Sequence, residues 1–144
     1  MQKEFLLKSF EDLLKAKRLL EFSVKGYVPY DPNKSYEPEE LESYDAMSFR
    51  FEKFVETALS FFVSLELYLY GEKSATLRDR LLKLQRAGYL QDVELWISAR
   101  LLRNKIAHAY IPEELAEIFE NVVNFSKRLF LEVETLEVKL KAIG

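Results

Sequence analysis

Apolar residues recur along this chain at three- and four-residue intervals, and no stretch alternates strictly between apolar and polar. That period marks helices buried along one stripe. Phe5, Leu6, Phe10, Leu13, Leu14, Leu20 and Val24 set such a stripe over residues 3–24. Gly26, Pro29 and Pro32 then interrupt it and predict a loop over 26–37 that carries Tyr27, Tyr30 and Tyr36. A loop of this length is either functional in itself or a flap folded over the core. Pro38-Glu39-Glu40 opens the second helix, with proline tolerated in the first turn and acids near the positive end of the dipole. It runs to Tyr70, where Gly71 stops it, a length of about 50 Å. Phe51, Phe54, Val55, Ala58, Leu59, Phe62, Leu65 and Leu69 form its stripe, while Phe49, Phe61 and Tyr68 lie off it. A helix apolar on more than one side needs a second partner, another element or another subunit.

Thr76-x-x-Asp79 resembles a capping box and starts a short helix through Ala87, with Gly88 as its stop. Leu77, Leu81 and Leu84 are expected to face inward and the arginines outward. The next helix begins near Gln91-Asp92 and ends at about His108 to Tyr110, because Pro112 disfavours helical geometry before it. Leu95, Ala99, Leu102 and Ile106 take its core side. The other side carries Val93, Trp96 and Ile97, then Arg100, Arg103 and Asn104, which suits a seam packed at one end and open at the other. Pro112-Glu113-Glu114 starts the last helix, whose stripe runs from Leu115 to Leu140. The predicted fold is all-α: an antiparallel up-and-down bundle of four long helices plus one short, in a single domain over 1–144. The surplus apolar surface of the second and fourth helices predicts a homodimer joined through them.

Composition narrows the chemistry. The 144 residues suffice for one core, and a hydrophobic share of 49% excludes wholesale disorder. Without cysteine there is no disulfide framework or thiolate metal site, and one histidine argues against a zinc centre. Phosphate-binding glycine loops, paired metal carboxylates and a Gly-x-Ser-x-Gly elbow are missing, so no cofactor is expected. The charged N-terminal run is no signal peptide. The most apolar window, Thr57 to Tyr70, is too short to span a membrane and contains Glu66. A cytoplasmic protein is the default expectation. The net charge of −3 is unevenly spread: residues 73–105 carry eight basic against three acidic side chains, leaving 13 against 21 elsewhere. Five of the eight arginines lie there, and arginine's planar fork suits phosphate. Arg78, Arg80, Arg86 and Lys105 are therefore candidate RNA contacts, unless they form a solvated face balanced by acids.

The stretch Arg103-Asn104-Lys105-Ile106-Ala107-His108-Ala109-Tyr110 holds the chain's one histidine, five positions after an arginine and two before a tyrosine. Imidazole is the side chain that titrates unperturbed near neutrality, which suits proton transfer. Arginine stabilises charge growing on phosphoryl oxygens. The pattern Arg-x4-His-x-Tyr, with a polar residue after the arginine, resembles the HEPN superfamily and within it the HepT-like toxins. The resemblance implies an all-helical dimer that cleaves RNA without metal and is neutralised by a small nucleotidyltransferase antitoxin of the MNT type. It implies Arg103 as phosphate clamp, His108 as acid/base, Asn104 as polar neighbour, and Tyr110 as the acceptor of AMP from that partner. Arg100 joins the same cationic face in support. On an ideal helix Arg103 and His108 stand about 140° apart, so they converge only if the last turn loosens or a partner subunit contributes. Plainer roles stay open beside these. His108 could bond the last carbonyls or Asn104, Arg103 could pair with an acid of the last helix, and Tyr110 could pack at the core edge. A non-catalytic substrate- or nucleotide-binding subunit of a two-component nucleotidyltransferase is the alternative function. A structural role would bury His108 and close Arg103 in an ion pair.

Overall fold

A computed structural model describes residues 2–143. Five helices follow one another: α1 (Lys3–Lys25), α2 (Pro38–Tyr70), α3 (Leu77–Arg86), α4 (Val93–Ile106) and α5 (Pro112–Lys141). There is no strand among the described residues. Local chemistry sets most boundaries. Glu37 and Glu40 form a reciprocal capping box around Pro38, and Gly71 ends α2 in the left-handed conformation at φ 71°. Thr76 accepts from the Asp79 N–H and Asp92 from the Leu95 N–H, each satisfying an amide that has no partner within its helix.

Helix α2 is the axis of the bundle, touching each of the other four helices. Its Phe51, Phe54, Val55, Ala58, Phe62 and Leu65 are fully buried, as the stripe predicted. Trp96 of α4 packs against Phe54 and Phe62, with ring centroids 6.4 and 5.0 Å away. Its indole N–H donates to Glu132 of α5 at 3.0 Å. The same carboxylate oxygen accepts from the backbone N–H groups of Gln91 and Asp92, so α5 caps the start of α4. A buried carboxylate is satisfied here by donors at a positive helix end.

Four expectations need correcting, the first being that α4 ends at Ile106 and not at about His108 to Tyr110. Phe61 is not surplus surface: it is buried against Phe10 of α1, with centroids 5.3 Å apart. Phe5 leaves the α1 stripe for solvent. The arginines of α3 do not all face out. Arg80 turns inward to Glu66, which is fully buried on α2 and also accepts from the Ser74 N–H, the Ser74 hydroxyl and Lys83.

The loop over 26–37 is a flap. Tyr30 stacks on Tyr36 at 4.8 Å and meets Tyr44 and Phe119 edge-on, while the Tyr44 hydroxyl donates to the Val28 carbonyl at 2.7 Å. These contacts tie the flap to α2 and α5. No described helix is long and apolar enough to cross a membrane.

Candidate functional site

Pro112 shapes the end of α4, because it holds Ile111 in extended backbone as the N-cap of α5. Helix α4 therefore stops at Ile106, and the His108 N–H closes the chain back onto the Lys105 carbonyl at 3.0 Å. That bond spans three residues rather than four, a tightened last turn. Ile106 and Ala109 pack toward the core. His108, between them, points into solvent, and its ring has no hydrogen-bond partner among the described residues. Tyr110 is 83% exposed and Ile111 is exposed beside it.

Arg103 lies five residues back. Its side chain is 27% exposed and pairs with Glu56 of α2 at 3.4 Å, the partner being 52% exposed. A second nitrogen donates to the Asn104 side-chain oxygen at 3.2 Å. Glu52, nearby on α2, has its carboxyl pushed above the ordinary range, first by burial and then by the Glu56 charge, with Arg103 pulling the other way. The guanidinium thus serves both acids of this strip of α2. Arg100 is exposed on the next turn. Within one chain no hydrogen bond or ion pair links Arg103 to His108 among the described residues. The wide angular separation on the helix is not closed by the tightened turn.

The plainer roles sort themselves against this geometry. His108 bonds neither the last carbonyls nor Asn104 through its ring, and Tyr110 does not pack. Arg103 is paired, but with α2 instead of the last helix.

The basic quarter of the chain is less open than its composition implies. Arg78 is held by Glu94, Arg80 by Glu66 and the Ser74 carbonyl, and Lys83 by Glu66 and Glu72. Arg86 and Lys105 remain exposed and without an ion pair among the described residues. Helix α3 packs on the first half of α4, and from Glu94 to His108 that helix advances about 20 Å. The arginines of α3 and the histidine turn are two regions, not one surface.

Two cavities flank the site. The larger, about 600 Å³, is a groove between α1 and α2 lined by Asp12, Lys15, Lys53 and Ser60, and it meets the site only through Glu56. The smaller, about 290 Å³, lies beside the turn itself, with Ile106 and Ala109 in its wall. Sequence reasoning missed its other wall, although Leu41, Tyr44, Asp45 and Ser48 share one face of α2 at helical spacing. No group of three or more His, Asp or Glu side chains among the described residues is placed to hold a metal ion. No family model, curated protein or solved structure matches this chain.

Proposed function

We propose that the chain is a metal-independent endoribonuclease of the HEPN type, acting as a homodimer of antiparallel bundles and restrained by a partner nucleotidyltransferase. One observation carries this reading: the chain's one histidine stands in solvent with a free ring, five residues beyond a partly exposed arginine. Cleavage through the 2′-hydroxyl needs a proton removed there, a proton delivered to the 5′ leaving oxygen, and cations on the phosphorane. Imidazole serves the proton steps and guanidinium the charge. One chain supplies a single imidazole and leaves it apart from its arginine. A two-fold dimer brings a second pair to the same cleft, with Arg103 of one subunit and His108 of the other across the phosphate. Exposed Phe49 on α2 and Leu101 on α4 support that seam.

Arg103 must exchange Glu56 for phosphate. Their pair is partly in water, where such contacts contribute about 0–1 kcal/mol, so the exchange costs little. The same pair favours the second reading, a non-catalytic binding subunit in which Arg103 is structural. Tyr110 serves regulation in either case. Its exposed phenol oxygen would attack the α-phosphorus of ATP on the partner enzyme, releasing pyrophosphate and the phenol proton and leaving AMP beside the cleft.

Purified protein is incubated with a mixed-sequence RNA, with and without EDTA. Cleavage should persist in EDTA and leave 2′,3′-cyclic phosphate ends. His108→Ala and Arg103→Ala should each abolish it while keeping the helical circular dichroism and the melting transition. Loss of cleavage in EDTA, or full activity in His108→Ala, would overturn the mechanism.

A further inference from the structure

The cavity of about 290 Å³ beside the histidine turn is built by four elements: Tyr30 of the flap, Tyr44, Asp45 and Ser48 of α2, Ala109 after α4, and Phe119 of α5. Its aromatic wall is three rings in mutual contact. Tyr44 stacks on Phe119 at 5.1 Å and 19°, and Tyr30 meets both rings edge-on at 5.2 and 5.4 Å. The Tyr44 hydroxyl is committed to the Val28 carbonyl, so that ring offers the cavity surface and no polar handle. The polar edge is Asp45 with Ser48. Asp45 is exposed and makes no hydrogen bond or ion pair among the described residues, leaving both carboxylate oxygens open at the rim of an apolar cavity.

An ionised carboxylate only accepts. Its best partner is a planar group with two adjacent N–H donors on one edge, matched to its two oxygens. The volume lies at the small end of ligand pockets and suits one flat ring system, not an extended ligand. Among the RNA bases, guanine presents two neighbouring donors, N1–H and the N2 amino group. Adenine and cytosine set an acceptor nitrogen beside their amino group, which the carboxylate would repel, and uracil flanks its one N–H with carbonyls. Aromatic walls with a polar group on the base edge are the means by which proteins read unstacked bases.

We propose that this cavity is a guanine subsite, holding a splayed-out base of single-stranded RNA through the Asp45 carboxylate, with Ser48 beside it. Ala109 in its wall adjoins His108, so the nucleotide seated there brings its own phosphodiester to the histidine turn. This deepens the ribonuclease reading and rests on it for the choice of an RNA base as occupant.

The test uses the full chain and two readouts. Binding of GMP, AMP, CMP and UMP is measured by calorimetry, and cleavage sites are mapped on one mixed-sequence RNA. GMP should bind roughly tenfold tighter than the other three, and cuts should fall next to guanosine. Asp45→Asn, which turns one acceptor into a donor, should bring GMP to the affinity of AMP and remove the guanosine bias from the map. Asp45 is exposed, and an unchanged melting transition in the variant checks its fold. Wild-type protein that cleaves RNA without preferring GMP overturns the guanine subsite and leaves the ribonuclease standing. Protein that prefers GMP through Asp45 but cleaves nothing keeps the subsite and overturns the ribonuclease. An Asp45→Asn variant with unchanged GMP preference overturns the subsite outright.

Discussion

Replacing Glu66 by glutamine should destabilise the fold more than any surface change near the candidate site. The wild-type carboxylate is fully buried and accepts from four donors: the Ser74 N–H at 2.9 Å, the Ser74 hydroxyl, Arg80 Nε at 3.0 Å and Lys83 Nζ at 3.2 Å. Burial alone would raise its pKa. The bonds from Ser74, Lys83 and Arg80 outweigh burial and hold it at about 2, against an ordinary value of 4.5. That difference corresponds to roughly 3 kcal/mol of folding stability. Breaking a buried pair from one side typically costs ~3–5 kcal/mol. Here the lower end applies, because Arg80 keeps the Ser74 carbonyl and Lys83 keeps Glu72. For a chain of this length, a loss of about 3 kcal/mol lowers the melting temperature by roughly 10 °C. The pH dependence has a definite sign. The native pKa is depressed, so the contribution is complete above the unfolded value near 4.5 and lost as pH falls toward 2. Melting followed by circular dichroism at pH 7 and pH 3 checks both points. Wild type and Glu66→Gln should differ widely at pH 7 and converge in acid. A difference under about 3 °C at pH 7, or one that does not shrink at pH 3, would refute the reasoning.

Light scattering at micromolar concentration should report a dimer of the 17.0 kDa chain, and Phe49→Glu together with Leu101→Glu should return it to monomer. A monomeric wild type removes the shared cleft and the mechanism with it. Incubation with a nucleotidyltransferase of the proposed partner class, ATP and Mg²⁺ should place one AMP on Tyr110, seen by peptide mass spectrometry and lost in Tyr110→Phe. An adduct that survives that substitution sends the regulatory site elsewhere.

What the sequence disclosed was what its local chemistry decides. Pro38 with Glu40, Gly71, Thr76 and Asp92 act on backbone groups within four residues, so the bounds they set were readable, whereas α4 ends at Ile106, short of the expected His108 to Tyr110. The turn that carries His108 was readable for the same reason, from Pro112 four positions on, but whether its ring would be buried or exposed was not. Side chains answered by distant partners were not. Arg80 looked like part of an outward basic face because Glu66 interrupts an otherwise apolar stripe, and nothing nearby shows that stripe burying a charge. The two meet only once α3 folds back on α2. Phe61 looked like surplus surface because its cover, Phe10, lies on another helix. The partner of Arg103 was sought on the last helix, but it is Glu56 of α2. Asp45 was one acid among many until the flap, α2 and α5 closed an aromatic cavity beside it.

Two arginine–glutamate pairs show why the proposed site sits at Arg103 and not in the richer basic stretch of α3. Arg80 meets Glu66 with side chains 13% and 0% exposed. Releasing that arginine to a phosphate would take a charged donor from a fully buried carboxylate, which is costly even with its three other donors in place. Arg103 meets Glu56 with both groups partly in water, at a longer 3.4 Å. Glu56 can turn into solvent when an anion arrives, because its side chain is already half in water. A phosphate at Arg103 therefore meets a cation that is held in place and can be freed. At Arg80 it meets one that the fold has already used.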